Sequence, residues 1–157
     1  MKTYVITLSR SFLSGHPRAG EPTGFRDKFL RKEKIHTIRG NYHLWSKRIR
    51  EVCGGQAVLS IREWTGAPYR SPQAEIARLT YKDGVGIQLL KLDDYQGNGP
   101  QVYALNEALE LEGEPVSAED LARNDGLSLE DWRAWFKKVG KFESLAIIHF
   151  TQFRYYV

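Results

Sequence analysis

Cysteine is nearly absent from this 157-residue chain: Cys53 stands alone, so no disulfide framework and no cysteine-built metal cluster is available to it. Taken singly, a free cysteine reads as a buried structural thiol. Long apolar runs are also missing. No stretch approaches the roughly 18 continuous apolar residues of a membrane helix, and MKTYVITLSR lacks a signal-peptide core with a cleavage site. A soluble, intracellular protein is the expectation. No Walker loop occurs, GVG at 84–86 lacks the third glycine of a dinucleotide fingerprint, and no GxSxG elbow is present. The four histidines (16, 36, 43 and 149) show neither HExxH nor ligand spacing with a carboxylate, so no metal and no cofactor is expected. What these absences leave is metal-free chemistry or plain binding.

Aromatic residues, by contrast, are plentiful. Four Trp, eight Tyr and seven Phe supply enough large apolar side chains for one domain spanning residues 1–157. Charge is polarised along the chain. Residues 1–50 hold twelve Lys or Arg against Glu21, Asp27 and Glu33, while residues 93–131 hold eleven acids and only Arg123 as a base. Such asymmetry suggests one face turned toward a polyanion and another that is acidic.

Periodicity gives the elements. TYVITL (3–8) reads as a strand, and the segment 9–24, rich in Gly and Pro, as a long loop of the kind that carries function, with His16 and Arg18 placed to cover a site. FRDKFLRK (25–32) is a short amphipathic helix and IHTIR is strand-like. Asn41 caps a second helix with a Leu44, Trp45, Ile49 and Val52 stripe that stops at Gly54–Gly55. QAVLSIREW (56–64) is a strand; QAEIARLTY, GVGIQLLKL and PQVYALNEALEL are three more extended segments, with a Lys-Asp-Gly turn between the first two. Ser117 and Ser128 each stand three residues before an aspartate, which predicts two capped helices. Trp132, Trp135 and Phe136 fall at core spacing on the second. FESLAIIHFTQFRYYV reads as one long closing strand, with His149 as a core histidine. The sum is an α+β fold of about six or seven strands with short peripheral helices, a small curved sheet or partly closed barrel.

Three of these segments resemble the ASCH domain, a family of the PUA-like superfamily of small mixed β-barrels associated with RNA. KIHTIRG (34–40) is similar to the family's Lys-x-x-Thr-x-Arg strand, and GGQAVLSIREW (54–64) to its glycine turn and barrel strand. NDGLSLEDWRAWF leading to SLAIIHFTQF is similar to its late acid, helix and closing strand, so the likeness covers most of residues 25–155. Some family members resemble amidohydrolases that remove an acyl group from the exocyclic nitrogen of acylated cytidine. Carried over, their catalytic set implies Lys34, Thr37 and Asp125, with Arg39 nearby. Those enzymes have glutamate where Asp125 falls, and this chain has extra material at 9–24 and around 65–110.

The residues themselves impose a geometric condition on that set. Alternation along a strand puts Lys34 with His36 on one side and Thr37 with Arg39 on the other, so Lys34 and Thr37 converge only if the backbone bends before the strand settles. A lysine desolvated in a pocket would act as base, Thr37 as nucleophile or holder of the attacking water, and Asp125 as the group orienting the ammonium.

The leading expectation is nonetheless a binding module: a basic cleft around residues 34–48 that holds RNA or a modified nucleoside. Lys34, Arg39, Lys47 and Arg48 would meet phosphate or base, with His36 beside them. Trp64 and Tyr69, flanked by Arg62 and Arg70, would stack on a nucleobase, whereas Trp45 belongs to the core. A metal-free amidohydrolase acting on N4-acylated cytidine-type nucleosides is the alternative. An interaction protein that docks a basic partner on its acidic segment 93–131 is the third.

Overall fold

The computed structural model describes residues 1–157 and divides eight strands between two sheets. The smaller sheet holds β1 (Lys2–Thr7), β3 (Ala57–Trp64) and β4 (Gln73–Leu79), in that spatial order. β1 runs parallel to β3, and β4 antiparallel, with a register shift at Ile61/Arg62 that bends the end of β3. The larger sheet is antiparallel and ordered β2 (His36–Arg39), β8 (Leu145–His149), β5 (Gly86–Lys91), β6 (Gln101–Leu105) and β7 (Leu111–Pro115). No strand pairing joins one sheet to the other, and no closed barrel forms. The fold is mixed α+β, with four short helices: α1 (Phe25–Leu30), α2 (Tyr42–Cys53), α3 (Ala118–Asn124) and α4 (Leu129–Trp135). None is long and apolar enough to cross a membrane.

One contiguous core fills the space between the sheets. Ile6, Leu59 and Ile61 of the small sheet and Leu90, Ile147 and Ile148 of the large one are all essentially inaccessible. Helix α2 closes one side by burying Trp45, Ile49 and Val52, each worth about 1.5–3 kcal/mol when withdrawn from water. Its start is fixed as the sequence suggests, because Asn41 Oδ1 accepts the Leu44 N–H. The serines before α3 and α4 likewise accept the N–H groups of Asp120 and Asp131.

Several expectations need correction. Leu44 is exposed rather than part of the buried stripe of α2, since the helix turns that position toward solvent. Cys53 is exposed, at the last turn of α2, with its thiol against the Val85 carbonyl. PQVYALNEALEL is not one extended segment but the β6–β7 hairpin. Asn106 closes its turn by accepting the Ala108 and Glu110 N–H groups, while Leu109 takes a left-handed φ of 61°. The turn after β4 does not make a hairpin either: Thr80 and Asp83 cap a single 3-10 turn that carries the chain from the small sheet to the large one. The closing strand stops at His149. Beyond it the chain leaves the sheet and folds back so that Tyr155 is buried.

Candidate functional site

The two sheets approach one another at the strands β1 and β2. There the Arg39 guanidinium donates from Nη2 to the Thr7 carbonyl at 2.9 Å, so an arginine of the large sheet ties down the end of the small one. Beside this tie opens a cleft of about 380 Å³. Its walls include Phe25 from α1, Thr37 and Arg39 from β2, Trp64 from the end of β3, Tyr69 from the following turn and Trp135 from α4.

Local chemistry explains how each of these arrives. Thr37 and Arg39 are two apart on a strand and so face the same way. Gly24 adopts φ 72° and starts α1 with Phe25 turned inward. The bend in β3 carries Trp64 to the rim. Tyr69 then holds a left-handed φ of 64°, unusual for an aromatic residue, and its ring sits 5.1 Å from that of Trp64 while remaining 89% exposed. Trp135 is half-buried: it packs against the core through Phe12 and Phe25 and also lines the cleft.

Behind the cleft lies a second, closed constellation. Lys34, Asp125 and His36 are 2%, 4% and 0% exposed, and their side chains meet. Lys34 Nζ donates to the Asp125 carboxylate Oδ1 at 2.8 Å and to the Asp125 backbone carbonyl at 2.7 Å. The ammonium also lies 4.1 Å from the centre of the Phe25 ring, a cation–π contact whose ring forms part of the cleft wall. Burial outweighs the aspartate and lowers the Lys34 pKa from its ordinary value. For Asp125, burial alone would raise the carboxyl, but Lys34 and His36 overcome it and the net direction is down.

His36 extends the network. Its Nε2 is 2.7 Å from the Tyr155 hydroxyl, which also accepts from Asn124 Nδ2 at 3.0 Å. Burial lowers the His36 pKa, so the ring is neutral. Its Nδ1 lies 3.7 Å from Asp125 Oδ1 and has no hydrogen-bond partner. Across the strand pair, His149 faces His36, and its Nε2 lies 2.9 Å from Gln88 Oε1. The same Gln88 binds the Tyr155 backbone through both its amide nitrogen and its oxygen. Burial drives the His149 pKa down to about 2.

The alternation read from residues 34–39 is thus what the molecule has. Lys34 and His36 turn to Asp125, whereas Thr37 and Arg39 turn to the cleft, with the Phe25 ring between the two groups. Thr37 lines the cleft with a hydroxyl not tied to a protein partner, and it hydrogen-bonds to neither Lys34 nor Asp125. Lys47 and Arg48 stand elsewhere: Lys47 is exposed on α2, and the Arg48 guanidinium lies over the rings of Trp45 and Tyr4. Arg70 is exposed beyond the rim, and Arg62 is held by Ser60 and Gln73. The long loop is pinned rather than free to swing. His16 is buried with Nε2 3.0 Å from the Asp131 carbonyl, and Arg18 pairs with the Asp131 carboxylate at 2.6 Å. Tyr155, Gln88 and Asn124 escaped sequence reasoning. Only their distant partners reveal them, and no local spacing signals those.

Comparison with family models, with curated proteins and with solved structures gives no match in any of the three.

Proposed function

We propose that the cleft binds a nucleobase, presented by RNA or by a modified nucleoside, with the base between aromatic walls and its polar edge toward Arg39 and Thr37. The observation that carries this reading is the lining itself: Trp64 and Tyr69 at the rim, Trp135 and Phe25 deeper, one arginine with donors to spare, and no carboxylate. Aromatic walls suit any base face, and an acid-free lining suits the phosphate that travels with it. The PUA-like view of the two sheets as separated halves of a curved barrel, and a cytoplasmic setting, belong with this proposal. Titration calorimetry with cytidine, uridine, adenosine and guanosine 5′-monophosphates tests it. Trp64→Ala should weaken the best of them about 5- to 150-fold, the equivalent of one lost stacking contact of ~1–3 kcal/mol. Absence of binding by all four, and by short RNA, refutes it.

A second reading, amidohydrolysis of an N4-acylated cytidine, is favoured by the buried Lys34–Asp125 pair one aromatic ring away from the unpartnered Thr37 hydroxyl. In that reaction water adds to the acyl carbon, the C–N bond breaks, and a carboxylic acid and the free amine leave. Incubation with N4-acetylcytidine decides the matter: turnover that disappears in Thr37→Val supports catalysis, and no turnover removes it.

A further inference from the structure

The cleft does not end at its own walls. Leu13, from the long loop, lines it and also lines two neighbouring depressions of about 300 and 250 Å³. The first is reached past Trp135 and ends at Lys137 and Lys138. The second is reached past Trp64 and Pro68 and ends at Arg10. The three adjoin at Leu13, with aromatic rings lining the first and cationic side chains lining the other two, and are taken together as one groove. No aspartate or glutamate lines any part of it, although the chain carries 19 of them. Two other depressions, which include α1 residues in their walls, are lined in part by Glu33 and by Asp83.

The cations at the ends are available to a ligand. Lys137 and Lys138 are exposed and form no ion pair, and Lys138 Nζ rests against the long loop, 3.9 Å from where a Cβ on Gly15 would lie. Arg10 is held by backbone alone, its Nη1 donating to the Thr65 carbonyl at 2.7 Å, which fixes its direction and leaves its charge unneutralised. The acid that might have cancelled this field, Asp131, is engaged by Arg18 and His16 beneath the loop.

We propose that this groove tracks a single-stranded polynucleotide, with one base in the aromatic cleft and flanking phosphates at Lys137–Lys138 and at Arg10. This rests on the reading of the cleft as a nucleobase site and extends it: the natural ligand is a strand rather than a free nucleoside. Charge separation on either side of a stacking platform is what a strand needs, and a lone nucleoside uses neither end.

Fluorescence anisotropy with labelled single-stranded RNA and DNA octamers of mixed sequence tests this, with cytidine 5′-monophosphate as competitor and an octaglutamate peptide as a rival polyanion. The octamers should bind about ten-fold or more tighter than the mononucleotide, and comparison of RNA with DNA identifies the source of the strand. The double variant Lys137→Ala/Lys138→Ala should lower the slope of log affinity against log salt by about 1.4, the value for two phosphate contacts on a single strand. It should also bring octamer affinity down toward that of the mononucleotide. Lys47→Ala/Arg50→Ala removes the same charge from α2 and serves as the control for net charge. Octamers no tighter than the mononucleotide, equal losses in the two double variants, or equal binding of octaglutamate each overturn the groove while leaving the cleft reading intact. Failure of both mononucleotide and octamer to bind removes the two together.

Discussion

Replacing Asp125 by asparagine keeps the shape of the buried site and removes one charge. Lys34 would retain its 2.7 Å hydrogen bond to the Asp125 backbone carbonyl and its 4.1 Å contact with the Phe25 ring, so the packing around it survives. What goes is the only carboxylate within ion-pair distance of an ammonium that is 2% exposed. Breaking a buried pair from one side costs about 3–5 kcal/mol, because the remaining charge has lost both water and partner. For a chain of this length that corresponds to a fall of roughly 6–20 °C in Tm. The opposite substitution, Lys34→Met, should cost less. Asp125 keeps a second neighbour in His36, whose Nδ1 is 3.7 Å away and which can take up a proton as the lysine did. Chemical denaturation of both single variants and of Lys34→Met/Asp125→Leu gives the cycle. The double variant should recover most of the loss, since an apolar pair of similar volume avoids the desolvation of both charges. Equal costs for the two single variants, or a cost for Asp125→Asn below ~1 kcal/mol, would refute the assignment of Lys34 as a buried cation held by Asp125.

Three further outcomes follow from the same interior. Both strand-facing histidines have pKa values lowered by burial, His149 to about 2 against an ordinary 6.5, so the unfolded chain binds protons that the folded one does not. Stability should therefore be complete above pH 6.5 and fall as pH drops below it. At pH 4.5, two units down, His149 alone accounts for roughly 2.7 kcal/mol. Unfolding free energies from urea titrations at pH 7 and 4.5 should differ less by about that amount in His149→Gln, and an unaltered difference would count against it. Tyr155→Phe strips His36 Nε2 and Asn124 of their common partner and should cost about 1–3 kcal/mol in the same measurement. Gly84 and Gly97 both have left-handed φ, but an added Cβ at Gly84 would lie 2.5 Å from Gln152 Cγ and 2.8 Å from its backbone nitrogen, whereas at Gly97 nothing is within 4 Å. Gly97→Ala should thus cost only the ~1 kcal/mol of its backbone conformation, and Gly84→Ala clearly more, as compared by thermal melts.

The parts of the molecule legible in the sequence are those governed by short-range rules. Serine and asparagine caps fixed the starts of α2, α3 and α4, and strand alternation sorted residues 34–39 onto the two faces they occupy. What stayed hidden has specific causes. The β6–β7 turn contains neither glycine nor proline; it relies on Asn106 and on a leucine in a left-handed conformation, so nothing in NEALE announces a reversal. The end of β8 is not legible because Thr151–Val157 keeps the aromatic composition of a strand while its hydrogen bonds go to the Gln88 side chain, to the Thr151 hydroxyl and, from Arg154, to nearby carbonyls. Trp135 sits at core spacing on α4, yet helical spacing cannot distinguish a core from a cleft wall. Lys47 and Arg48 lie close to β2 in sequence, but α2 carries them to another face.

The position of β8 bears on how the chain folds. It is the strand between β2 and β5, and its partner His36 is 113 residues away along the chain, while β1 and β3 pair across 55. The β3–β4, β5–β6 and β6–β7 pairs join neighbours in sequence, but β1 and β2 enter their sheets only through these distant pairings. Loop-closure entropy must be met before either gives a return, which places folding toward the slow, millisecond-to-second end expected of non-local pairings. Until residues 145–149 dock, β2 has no strand beside it. The polar residues it carries are then open to water, and the chain passes through a stage in which its future buried charges are still fully solvated.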